Sequence, residues 1–232
     1  MPMRLRIAAV SLAGLAALAL VGSAAAALIG IYRNGMESDA QRAQIVKLSG
    51  ESCGRGGSDH AVRIVVGKAT SRCAYRTPVI GRDLEIAAVG RLLSNTPKPL
   101  QRKAFIALDL RSGGAGAGYE LAVFPLQGKA QLRKVTSDGH VEYLHIEKGV
   151  RTKGLNGANE LRLRAFNLSS GPKKGTCQIV AYVGRQLVAD INDAASGELE
   201  GRSSGFSLGA NGNAKGVVGS FDDVVVRVPA PA

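Results

Sequence analysis

Arg162 and Arg164 alternate with Leu161, Leu163 and Ala165, so in an extended chain both guanidinium groups fall on the side opposite the apolar residues. Arg133 and Lys134 sit on a neighbouring hairpin, and between Lys98 and Arg185 there are fifteen Lys and Arg against six Asp and Glu. Such a surplus attracts anions at long range without specifying which anion. Tyr143, His145 and Tyr182 fall in the same part of the chain and could build a small polar and aromatic platform beside the arginines. Alternation equally allows Tyr143 to lie inward with Val141.

Other chemistries find little support. Cys53 and Cys73 flank the apolar segment Ala61-Val-Arg-Ile-Val-Val-Gly67, so a disulfide between them would staple the first hairpin. Closing a loop of that length is worth roughly 3 kcal/mol. Cys177 opens the alternating set Cys177, Ile179, Ala181 and Val183 and reads as a buried small hydrophobe. No Cys-x-x-Cys or His-x-x-x-His pair is present, and His60, His140 and His145 are scattered, so no cofactor is expected. The glycine-rich run from Gly113 to Gly118 lacks the Lys-Ser/Thr of a phosphate loop and reads as a hairpin turn. The basic residues form no recognised nucleic-acid motif, so nucleic acid is not expected as a partner.

The elements that must carry these residues begin after an apolar leader. Ile7 to Tyr32 is free of charge, with Arg4 and Arg6 ahead and Arg33 behind. As a helix rising about 1.5 Å per residue, it is long enough to cross a hydrocarbon core of roughly 30 Å. The arginines ahead of it predict a single-pass anchor in the cell membrane, amino end inside and residues 34–232 extracytoplasmic. A cleaved signal peptide is the alternative, with Ile7–Val21 as its core and Gly22-Ser-Ala-Ala-Ala26 offering cleavage sites, followed by secretion.

Beyond a short helical stretch at about Asp39 to Gln44, the exported part alternates with period two. Leu84, Ile86 and Ala88 share a face, as do Ile106, Leu108 and Leu110, and Tyr119, Leu121 and Val123. Ser112–Gly118, Gln127-Gly128, Ser137-Asp-Gly139 and Val183-Gly-Arg-Gln186 read as hairpin connections. About a dozen strands with no long helix between them predict an all-β, two-sheet antiparallel jelly-roll sandwich over residues 34–228, with 1–33 as the membrane segment and 229–232 as a tail.

Phe105-Ile-Ala-Leu-Asp-Leu-Arg111, Gly118-Tyr-Glu-Leu-Ala-Val-Phe124, Asn159–Ala165, Ala181–Ala189 and Ser220-Phe-Asp-Asp-Val-Val-Val-Arg227 together give the chain a resemblance to the concanavalin A-like lectin and glucanase sandwiches of bacterial exported proteins, including laminin-G-like and keto-disaccharide-hydrolase-like domains. Asn34-Gly-Met-Glu-Ser38 resembles the family's opening segment, which pairs near the last strand. The resemblance implies fold more strongly than activity. Its glucanases use two carboxylates about 5–9.5 Å apart, carried on one strand as Glu-x-Asp-x-x-Glu, and that pattern is absent here. Asp83 with Glu85, Glu198 with Glu200, and Asp222 with Asp223 are the nearest pairs. Sugar rings stack on aromatic faces, and this chain has no Trp. Related sandwiches also hold a structural calcium ion, for which Glu37, Asp39, Asp222 and Asp223 are the candidate oxygen donors. The expected protein is therefore a membrane-anchored binding module for an anionic cell-surface polymer or glycan, with a carbohydrate-active enzyme as the alternative.

Overall fold

The computed structural model describes residues 28–49, 53–58, 60–67, 71–113, 117–136, 138, 140–194, 199 and 201–229. Two antiparallel sheets account for nearly all of it. Sheet A runs in the order β13 (Gln186–Asp193), β12 (Cys177–Val183), β11 (Asn159–Asn167), β6 (Leu84–Leu92), β15 (Val218–Pro229), β4 (Ala61–Val66) and β3 (Cys53–Ser58), with β1 (Leu28–Asn34) also paired to β15. Sheet B runs β10 (Val141–Lys148), β9 (Lys129–Val135), β8 (Gly118–Phe124), β7 (Ala104–Ser112), β14 (Ser203–Ala210), β5 (Arg72–Ile80) and β2 (Val46–Ser49). The four hairpins read from the sequence are the pairings β7–β8, β8–β9, β9–β10 and β12–β13.

The period-two residues form the core between the sheets. Leu84 and Ile86, Ile106 to Leu110, Tyr119 to Val123, Leu161 to Ala165 and Cys177 to Val183 contribute their alternate side chains to one buried cluster. Each fully buried Leu or Ile is worth about 1.5–3 kcal/mol. Phe206 links the layers from sheet B, stacking on Phe221 of sheet A with ring centroids 4.5 Å apart. The short helix α1 (Asp39–Ala43) is held by a capping box in which Ser38 accepts from the Gln41 backbone N–H and the Gln41 side chain accepts from the Ser38 backbone N–H. A second helix, α2 (Lys98–Gln101), leads into β7.

Two expectations are corrected. The apolar run does not continue as one helix through Tyr32: Leu28–Asn34 is strand β1, whose register pairs Leu28 with Pro229 and Asn34 with Val224. β15 explains this, because β4 covers only Val218–Phe221 and the distal half of that long strand, paired with β6 on one edge, would otherwise leave its other edge without a ladder. The same pairing places Pro229 at the end of a strand. Residues 7–27 of the run lie outside the described residues, and no helix among those described is long and apolar enough to cross a membrane.

The Cys53–Cys73 disulfide is present, with Cα atoms 5.7 Å apart, and Cys177 is free and buried. It does not staple the first hairpin, however. That hairpin is β3–β4 in sheet A, whereas Cys73 lies on β5 in sheet B, so the bridge ties one sheet to the other.

Candidate functional site

The sequence-predicted binding residues separate into two groups on different sheets. Arg162 and Arg164 on β11 and Tyr182 on β12 share the outer face of sheet A, because Leu161, Leu163 and Ala165 between them are buried. Arg133, Lys134, Tyr143 and His145 belong to β9 and β10 at one edge of sheet B. Adjacent residues of a strand point to opposite faces, so Arg133 and Lys134 part company. Lys134 follows Ala130 and Leu132 inward, where its ammonium lies 3.3 Å from Asp193 and is 1 % exposed. The Tyr119 hydroxyl donates to the same carboxylate at 2.6 Å. Tyr143 points outward, half-exposed, with the Arg133 guanidinium 5.8 Å from its ring. His145 sits 3.3 Å from the Glu147 carboxylate.

On sheet A the arginines differ in their commitments. Arg164 donates twice to Glu85 Oε2, and Arg227 donates to Glu85 Oε1 at 2.6 Å, which neutralises a carboxylate that is only 2 % exposed. Arg162 has no carboxylate partner among the described residues. Its guanidinium instead lies over the Tyr182 ring, 4.0 Å from the centroid.

This side chain borders a hollow of about 430 Å³ floored by Ala87 and Ala88 of β6 and edged by Glu160, Arg185, Asp223 and Arg227. Two further hollows, of about 200 and 600 Å³, adjoin it through Gly184 and Arg185 and add Arg151, Lys153 and Gln186. The three meet at the β12–β13 turn, where Gly184 adopts φ 57°. Gln186 is fixed there by accepting from the Arg151 backbone N–H. Asp223 reaches the groove because β15 bulges where it exchanges β4 for β1, with φ 47° at Asp223 itself.

A second polar cluster lies on the outward face of sheet B, and sequence reasoning missed it. Asp109 on β7 stands directly opposite Glu120 on β8. Glu120 pairs with Arg72 at 2.6 Å and Arg133 at 3.0 Å and accepts from Ser207. Arg133 in turn spreads over Phe105 at 4.8 Å and Phe124 at 5.4 Å. Burial, and then the charge of Glu120, raise the Asp109 carboxyl to about 7 against the pull of Arg72, Ser207 and Arg133. Asp109 Oδ2 has no hydrogen-bond partner among the described residues.

The remaining candidates are dispersed. Asp83 accepts from the Asn167 backbone N–H, Glu85 belongs to the arginine cluster, and Glu198 and Glu200 lie outside the described residues. Of the calcium candidates, Asp39 pairs with Arg42 and Asp222 with Arg91, while Glu37 and Asp223 are exposed. Among the described residues no three His, Cys, Asp or Glu side chains are placed to hold a metal ion.

With this architecture the chain is a two-sheet β-sandwich of galectin-like fold. No protein-family model matches its sequence, and no curated protein sequence does either. Among solved structures it is similar to the carbohydrate-binding module CBM66 from Bacillus subtilis, with TM-score 0.57 and 15 % identity over 78 % of this chain and 93 % of that one. It is also similar to a Bacillus subtilis protein of unknown function with galectin-like fold, with TM-score 0.59 and 12 % identity over 87 % and 97 % of the two chains. The kappa-carrageenase from Pseudoalteromonas carrageenovora, in complex with an oligotetrasaccharide of kappa-carrageenan, gives TM-score 0.52 and 8 % identity over 91 % and 99 %. At these identities the likeness is one of fold.

Proposed function

We propose that the chain is a non-catalytic, extracytoplasmic binding module that holds an anionic polysaccharide or related surface polymer in the groove at the β12–β13 turn. The observation that carries this reading is Arg162. It is a cation without a carboxylate partner among the described residues, spread on Tyr182 and facing an open hollow that it shares with Arg185. An arginine seated over a ring with no carboxylate partner has N–H groups left for a planar anion, which suits paired hydrogen bonds to carboxylate. The similarity to CBM66 and to a kappa-carrageenase favours a glycan as the class of ligand.

Placement outside the cytoplasm rests on the uncharged run behind Arg4 and Arg6, read as a single-pass anchor with secretion after cleavage as the alternative. The Cys53–Cys73 disulfide accords with an oxidising compartment. The non-catalytic reading draws support from the sequence, which lacks the Glu-x-Asp-x-x-Glu strand pattern of the resembling glucanases.

The test is retention of the full-length protein on immobilised anionic polysaccharide. Binding should fade as the Debye length shrinks from about 10 Å at 0.1 M salt to about 3 Å at 1 M. Arg162→Gln combined with Arg185→Gln should weaken it by about tenfold or more, the worth of a charge-assisted hydrogen bond. Retention indifferent to both salt and the double substitution would reject the groove as the site.

A further inference from the structure

The groove is not uniformly basic. Glu160 and Asp223 line the same hollow as Arg162, Arg185 and Arg227, and both acids are exposed, with no ion pair or hydrogen bond from their side chains among the described residues. Glu160 stands two residues before Arg162 on β11, on the same outer face, about 7 Å away along the strand. Asp223 is presented from the opposite side by the β15 bulge, at a backbone conformation a non-glycine residue seldom adopts. A surface made only to gather anions has no use for two uncommitted carboxylates beside its cations, since each repels the ligand.

The two acids become useful when the ligand carries donors as well as charge. An ionised carboxylate only accepts hydrogen bonds, and phosphodiester, polyphosphate and sulfate chains present only acceptors along their charged backbones. Sugar hydroxyls donate. A chain with one carboxylate per ring and hydroxyls between can set its carboxylate on the Arg162 edge and its hydroxyls on Glu160 and Asp223. The small outward side chain of Ala87 leaves space for the ring, in a hollow within the range of about 300–1,000 Å³ typical of ligand sites. A densely charged chain would meet Glu160 wherever it met Arg162.

We infer that the groove is selective for acid sugars of the uronate type, with Glu160 and Asp223 as the residues that read hydroxyls and reject polyphosphate. This rests on the groove being the binding site.

The experiment compares three probes on the full-length protein by calorimetry: an oligogalacturonate, its methyl ester, and a linear polyphosphate of matched length. The oligogalacturonate should bind best, with the methyl ester weaker by about tenfold or more as the arginine–carboxylate bonds are lost. Glu160→Gln with Asp223→Asn should weaken the oligogalacturonate several-fold and strengthen polyphosphate. Asn tolerates positive φ better than most residues, and an unchanged melting temperature would show that the double variant is folded. Polyphosphate bound as tightly as the oligogalacturonate would overturn the selectivity while leaving an anion-binding groove in place. So would a double variant with both affinities unchanged. If neither anion binds, or the methyl ester binds equally, the groove reading itself falls.

Discussion

Asp109 shows what the fold demands of one side chain. It faces Glu120 across two paired strands, and burial together with that neighbouring charge raises its carboxyl to about 7. The sign follows by linkage. A carboxyl whose folded pKa lies above the unfolded value of about 3.9 favours folding most when protonated, so that contribution is complete at acid pH and is lost as pH rises through about 7. Asp109→Asn keeps the neutral form at every pH. It should therefore stabilise the fold at pH 8, on the order of 1–3 kcal/mol seen as a higher melting temperature, and leave stability nearly unchanged at pH 4. Thermal melts across that range measure this, and a constant offset between variant and parent would refute it. Glu120 differs because Arg72 and Arg133 both reach it, so Glu120→Gln should be the more damaging substitution.

The β12–β13 hairpin positions most of the groove. Gly184 sits at φ 57°, and an added Cβ there would meet nothing within 4 Å, so its requirement for glycine is purely one of backbone conformation. Gly184→Ala should destabilise by about 1–2 kcal/mol in denaturant melts, and Gly184→Asn by less. This turn was legible in the sequence, as were the other three hairpins and the inward face of each long strand, because both depend on local alternation and turn chemistry. The outward placing of Arg162 and Arg164 came from the same alternation. The full groove was not legible, since it combines β6, β11, the β12–β13 turn and β15, and their order in sheet A is not their order in the chain. Asp109 and Glu120 left a usable signal: each alternates with core residues across the Ser112–Gly118 connection, so fixing that hairpin's register would have paired them. Alternation with Ala130 and Leu132 sets Lys134 on the inward face, against the pull of its charge, and Asp193 is the partner that makes its burial tolerable.

At the scale of the molecule, the disulfide joins β3 to β5 and so locks the two layers together at the side of the sandwich opposite β10 and β13. The groove lies on the outer face of sheet A, away from that bridge. The pairing of Leu28 with Pro229 has another consequence: the two ends of the described chain leave the sandwich as neighbours on adjacent strands. The described part of the polypeptide, residues 28–229, is in effect a ring cut at one point. A linker of about two to five residues, the span of an ordinary hairpin loop, is enough to close it. The cut can then be moved to the exposed turn at Gly171–Gly175, which joins β11 to β12. Such a circular permutant, starting at Lys173, should fold to the same sandwich with its disulfide intact and keep the groove's affinity, because no strand pairing is interrupted. The same geometry would let this domain be carried as an insertion within a surface loop of another protein without stretching either host or guest.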